Sequence, residues 1–227
     1  MNVSYEDDDR IITFSGKMPE NGIHVLDYIR NKEKTKIIRF VNCDTSDTTS
    51  FWDMFNRCDK IEHIEGLETF DTSNVEYMMF IFAGCESLKE IHINNWNVKN
   101  VLFIAGAFSR CHSLKEIDLS NWEFDREIDA ESMFHDCRNV EYIDMKKVRI
   151  KQYDLVSGMF SNCPKLKCVR TECFFGDHGY EHDNIFDGCP SLAPNKMKFH
   201  ETRDYVYAYI MKYEFENIKN NKWENLY

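Results

Sequence analysis

Apolar positions along this chain recur at the interval of a whole unit. The phrase Met54-Phe55-x-x-Cys58-x-x-Ile61 is followed by Ile81-Phe82-x-x-Cys85-x-x-Leu88. It returns with Ala107, Phe108, Cys111 and Leu114, then with Met133, Phe134, Cys137 and Val140. The last two copies hold Met159, Phe160, Cys163 and Leu166, then Ile185, Phe186, Cys189 and Leu192. The intervals between the six cysteines are 27, 26, 26, 26 and 26 residues. Such regularity marks a stacked structural repeat. Within each phrase the Phe, Cys and aliphatic residue stand at i, i+3 and i+6. That spacing predicts a short helical turn with these side chains on one side.

A second apolar pair stands six and eight residues after the cysteine, as Ile91/Ile93, Ile117/Leu119 and Ile143/Met145. Period-two alternation predicts a short strand with one face buried. A bulky residue recurs three positions later: Phe70, Trp96, Trp122, Val148, Phe174. Each unit therefore reads as helical turn, strand, apolar corner and loop. One unit cannot bury its apolar side alone, but stacked units can. The expected class is α/β, a solenoid with short parallel strands on its concave face and helical turns on its convex face. Roughly seven rungs at about 4.8 Å give a body about 34 Å long.

The combined phrase Met-Phe-x-x-Cys-x-x-Leu-x-x-Ile-x-Leu-Ser-x-Trp resembles the leucine-rich repeats of the BspA-like bacterial surface proteins. Phe70-Asp71-Thr72-Ser73-Asn74-Val75 is similar to the segment that follows the strand in that family. The resemblance covers about residues 50–193. It implies a leucine-rich-repeat solenoid. Such repeats serve as general binding surfaces, so it also implies a protein-binding module, with adhesion among the family's roles. Several repeats here have lost the Thr-Ser-Asn segment.

The chain reads as one domain, with an N-terminal cap at 1–31, repeats over 32–197 and a helical cap at 198–227. Val3 and Tyr5, then Ile11, Ile12 and Phe14, alternate around an acidic turn and predict a hairpin. Gly22 to Arg30 reads as helical. Tyr28 and Ile29 lie 26 residues before Met54 and Phe55, with Lys32 where the cysteine would stand. Ile38 and Phe40 take the strand positions, so 23–40 is a degenerate first repeat. Lys198 to Lys219 is rich in aromatics and predicts a capping helix over the last rung.

Charge narrows the function classes. The formal net charge is −11, with 39 acidic and 28 basic residues. That argues against broad nucleic-acid binding and suits a basic partner. Met1-Asn2-Val3-Ser4-Tyr5 has neither a basic n-region nor an apolar h-region, so it does not read as a secretory signal. No run of 18 apolar residues predicts a membrane span. The expected location is cytoplasmic or virion-associated, or the surface if a leader has been removed. Frequent Lys, Asn and Ile hint at an AT-rich genome.

The ladder cysteines read as buried thiols acting as small hydrophobes, because the rung spacing exceeds the ~3.8 Å between Cβ atoms that a disulfide prefers. Cys163, Cys168, Cys173 and His178, with His182, Asp177 and Asp183 nearby, include zinc-ligand types. Their spacing is not that of a zinc knuckle, and Cys163 already belongs to the ladder. They read as a core thiol, an exposed thiol and a polar loop. No metal and no cofactor is expected, and no hydrolase, nucleotide-binding or metalloprotease signature is found, so no enzymatic activity is expected.

The outward strand positions are the functional lead. One column is His63, Glu90, Glu116, Tyr142 and Cys168; the other is Glu65, His92, Asp118, Asp144 and Arg170. The expected site is this acidic concave face, taking a basic protein partner. The alternative is a structural or self-assembling subunit of a particle or surface layer, associating through the aromatic segment 199–218. An adhesin is a third reading.

Overall fold

The computed structural model describes residues 1–124, 128–148, 156–171, 184–192, 198–199 and 208–209. Repeating units stack as rungs, each placing equivalent residues above one another. The strands are β1 (Asn2–Glu6), β2 (Ile11–Lys17), β3 (Ile37–Asp44) and β4 (His63–Glu65), then β5 (Glu116–Asp118), β6 (Tyr142–Met145) and β7 (Cys168–Thr171). β1 and β2 form the expected hairpin, with Val3 opposite Phe14. β2 then pairs in parallel with β3, Ile11 beside Ile37, so the hairpin's second strand is already a rung. β3 runs parallel to β4, and β5, β6 and β7 form a second parallel sheet.

The single 27-residue interval has a structural cause. Ile117/Leu119 and Ile143/Met145 point inward two residues apart, but Ile64 and Leu67, both buried, lie three apart. Gly66 is the inserted residue, at φ +89°. A Cβ there would sit 2.2 Å from the Phe40 carbonyl oxygen, so only glycine fits. The next rung, carrying Ile91 and Ile93, joins neither sheet. The strand wall is interrupted at that rung.

The helical turns expected opposite the strands are not there. Among the described residues, helical geometry is confined to 3-10 turns at Val25–Tyr28, Leu67–Thr69 and Asn184–Phe186 and to Val156. Gly22–Arg30 therefore holds one short turn. The Phe-x-x-Cys phrases are instead successive β-turns. Cys85 N–H donates to the Phe82 carbonyl and Cys111 N–H to that of Phe108. The residue before each of these cysteines is left-handed: Gly84 (φ +72°) and Arg110 (φ +61°). A positive φ at the third turn position is the type II signature, and it ends any helix. Side chains at i, i+3 and i+6 fit both geometries, so the apolar pattern did not separate them.

This turn wall joins rung to rung. Phe55 N–H donates to the Ile81 carbonyl, and Phe82 N–H, on the same peptide, donates to Ala107. The series continues from Phe108 to Met133, Phe134 to Met159 and Phe160 to Ile185, at 2.8–2.9 Å. Three neighbouring series run beside it; one starts with Arg57 N–H to Ala83 and Gly84 N–H to Ser109. Every amide in these series points toward the C-terminal rungs. The peptide dipoles are therefore aligned and polarise one another, as along a helix axis. A helix would satisfy these groups within one rung; the turns use them to bind neighbouring rungs together.

Side chains repeat the arrangement inside. Phe55, Phe82, Phe108, Phe134, Phe160 and Phe186 stack with centroids 5.1–5.5 Å apart. Phe70, Trp96 and Trp122 form a second stack, and each indole N–H donates to a carbonyl of the preceding rung, Leu67 and Ile93. The ladder thiols do the same. Cys85, Cys111, Cys137, Cys163 and Cys189 each donate to the Phe carbonyl one rung back, at 3.0–3.2 Å. The cysteines thus pack as small hydrophobes and also satisfy a buried acceptor. None of the described cysteines forms a disulfide.

The C-terminal cap differs from its expectation where it is described. Lys198–Phe199 and Ala208–Tyr209 are two short antiparallel strands, β8 and β9, not helix. The rest of 198–227, including most of the aromatic segment, lies outside the described residues, as do Phe174, Cys173, His178 and His182. Among the described residues no helix is long and apolar enough to cross a membrane.

Candidate binding surface on the strand wall

The strand wall presents the outward columns in the expected register, but only half of it is open. Glu65, Glu90, His92, Glu116 and Asp118 are exposed and His63 is half-buried. Further along, Tyr142, Cys168 and Arg170 are buried and Asp144 is largely so. The expectation that both columns form one continuous exposed face is therefore corrected at this end. β9 makes contact with β7 at this end. Arg170 pairs with Asp144 at 3.0 Å there, and both side chains are nearly out of water. Cys168, expected to be an exposed thiol, belongs to this covered end.

The open half has a defined shape. His63, Glu65, Glu90 and His92 converge on a depression of about 310 Å³, floored by Ile64 and Gly66 and rimmed by Glu68. Glu90 lies 3.5 Å from His63 and 3.8 Å from His92. Glu65 accepts from Arg39 at 2.6 Å, which raises the Arg39 pKa through that hydrogen bond and charge pairing. Asp118 accepts from Asn94 at 3.2 Å. The imidazoles and carboxylates are within reach of one another, so the pocket offers acceptors for a cationic group. A neutral histidine can also accept, and a protonated one would compete with an incoming cation.

Glu68 was not among the expected site residues. It lies two residues after Gly66, in the 3-10 turn Leu67–Thr69, and lines the same depression. The 27-residue interval was the available signal. Of the cysteine–histidine cluster, Cys163 is in the ladder and Cys168 is buried, while Cys173, Asp177, His178, His182 and Asp183 lie outside the described residues. Among the described residues no group of three or more His, Cys, Asp or Glu could hold a metal ion. Burial pushes the Cys58 thiol up to about 12 and the Cys85 and Cys111 thiols well above their ordinary value, which disfavours their thiolate forms.

A second set of residues escaped the sequence reasoning. Trp52 is 57% exposed, and Tyr77, Phe80 and Phe103 are each more than a third exposed. These aromatics stand outside the recurring inward columns. That departure from the repeat was the signal that could have found them.

No curated protein matches the chain. Among solved structures, a T. pallidum leucine-rich-repeat protein aligns with a TM-score of 0.46 and 16% identity, over 86% of this chain and 88% of that one. Residues 32–171, more than half of the chain, match a protein family, and the chain belongs to that family, described as "Mycoplasma protein of unknown function, DUF285".

Proposed function

We propose that this chain is a non-enzymatic protein-binding module of the leucine-rich-repeat, BspA-like type, which takes a basic segment of a protein partner on the open half of its strand wall. The observation that favours this reading is the pocket formed by His63, Glu65, Glu68, Glu90 and His92. A lysine or arginine side chain entering it would meet carboxylates on three sides. Glu116 and Asp118, on a later rung, extend the acidic surface for neighbouring basic residues. Exposed ion pairs contribute only about 0.2–1 kcal/mol each, so affinity rests on several such contacts and falls as salt rises.

The test is binding of lysine- and arginine-rich dodecapeptides to the intact chain and to Glu90→Lys/Asp118→Lys. Both substituted side chains are exposed, so the melting temperature should stay within a few degrees of the parent. Binding should weaken by about tenfold or more, the equivalent of about 1.4 kcal/mol. Unchanged affinity in the variant would refute the assignment.

A further inference from the structure

The strand-wall pocket holds two groups whose charge changes with pH. His63 Nδ1 lies 3.5 Å from Glu90 Oε1, and His92 Nε2 lies 3.8 Å from Glu90 Oε2. The two imidazoles thus stand at opposite oxygens of one carboxylate. Once protonated, both can pair with it together, and each takes the oxygen that an incoming lysine or arginine needs. All three side chains are more than a third exposed, so protons reach them from solvent.

The stacking of the rungs builds this bracket. One outward column runs from His63 to Glu90, and the other from Glu65 through His92 to Asp118. Charged groups face the histidines from every neighbouring rung. Lys36 and Arg39 come from the β3 rung; Arg39 pairs with Glu65 at 2.6 Å and lies 3.6 Å from Glu6 of β1. Glu62, next to His63 in sequence, is engaged by Lys89. Glu68 closes the rim. On the far side β5 carries Glu116 and Asp118, and Asp118 accepts from Asn94.

The local charge count decides the consequence. With neutral histidines the pocket sets the carboxylates of Glu65, Glu68 and Glu90 against the guanidinium of Arg39, a balance of −2. With both histidines protonated the balance is zero. Ordinary carboxylates, lysines and arginines keep their charge between about pH 5.5 and 8, whereas histidine changes charge within that range.

We infer that this pocket is a proton-gated site, which holds a basic segment while His63 and His92 are neutral and releases it when they are protonated. The inference rests on the proposed binding of a basic segment at the strand wall. The coupling is reciprocal: a cation seated on Glu90 favours the neutral imidazoles, so binding expels protons.

The experiment measures binding of lysine- and arginine-rich dodecapeptides at about pH 8 and about pH 5.5, at fixed ionic strength. The peptides lack Asp, Glu and His and have blocked termini, so their charge is constant. The parent is compared with His63→Gln/His92→Gln, in which glutamine stays polar but takes up no proton. The readout is the affinity ratio between the two pH values within each protein, so a change in the variant's affinity at pH 8 cancels. The parent should bind about tenfold or more weakly at the lower pH, and the variant should change by less than about twofold. Calorimetry of the parent near pH 6.5, in buffers of unlike ionisation enthalpy, should register proton release on binding, and His92→Gln should release fewer protons. The inference alone is overturned if the parent binds equally at both pH values while Glu90→Lys/Asp118→Lys does not bind. It is also overturned if the parent releases no protons, or if the glutamine variant weakens on acidification as the parent does. No binding by the parent at pH 8 would refute the strand-wall assignment itself, and this inference with it.

Discussion

Gly66→Ala should lower stability by about 2–5 kcal/mol, combining the left-handed backbone cost with a clash that cannot relax. The alanine Cβ would lie 2.2 Å from the Phe40 oxygen and 3.1 Å from its carbonyl carbon, and Phe40 is held beside Phe14 by the β2–β3 pairing. Gly16 supplies the comparison. Its φ is +84°, but a Cβ there would meet only the Asn2 side-chain amide at 3.5 Å. Gly16→Ala should therefore lose only about 1–2 kcal/mol, from backbone strain alone. Denaturant midpoints of the two variants measure the difference. Equal losses would mean that the close approach at Gly66 does not hold the rungs in register.

Phe108→Ala should cost about 3–5 kcal/mol, the range for deleting a fully buried aromatic side chain. Phe108 is completely buried between Phe82 at 5.5 Å and Phe134 at 5.4 Å. In a solenoid each rung touches only its neighbours, so a cavity in a central rung also weakens coupling between the two halves. Denaturation of Phe108→Ala should therefore lose cooperativity as well as midpoint, with the slope of the transition reduced. Phe108→Leu keeps much of the volume and should cost about 1–2 kcal/mol with the slope retained. A Phe108→Ala transition as steep as the parent's would argue against nearest-neighbour coupling.

The legible part of the molecule was the part fixed by repetition. Phe55, Phe82 and Phe108 announced a stacked column, and Ile117 and Leu119 announced an inward strand face, because equivalent positions need equivalent side chains. The turn wall was not legible. Its identity depends on Arg57, Arg110, Asp136 and Asn162 adopting positive φ, and no common side chain marks that column. The inter-rung bonds of the wall are made by backbone amides, which any residue supplies. The acidic middle of the candidate face was visible from Glu90, Glu116 and Asp118. Its limit was not, because the burial of Tyr142 and Arg170 is set by tertiary packing that the period-two pattern does not carry, and a buried Arg170 can persist only with a partner such as Asp144. Trp52 and Phe80 were overlooked because attention to the repeat discounts whatever lies outside it.

The proposed surface is read from one register, the one in which the cysteine ladder faces inward. Native-state alkylation with iodoacetamide, mapped by mass spectrometry and compared with the chain in urea, tests that register directly. Cys58, Cys85, Cys111, Cys137, Cys163 and Cys189 are buried and their thiols are raised above the ordinary value wherever a shift is resolved, and Cys168 is also buried. Cys43 is only half-buried, its thiol donating to the Phe14 carbonyl at 3.3 Å. Among these eight, Cys43 should react first and the ladder should stay protected until the fold opens. Labelling of the central thiols Cys85, Cys111 and Cys137 at the rate seen in urea would contradict the stacked-rung account and the surface read from it.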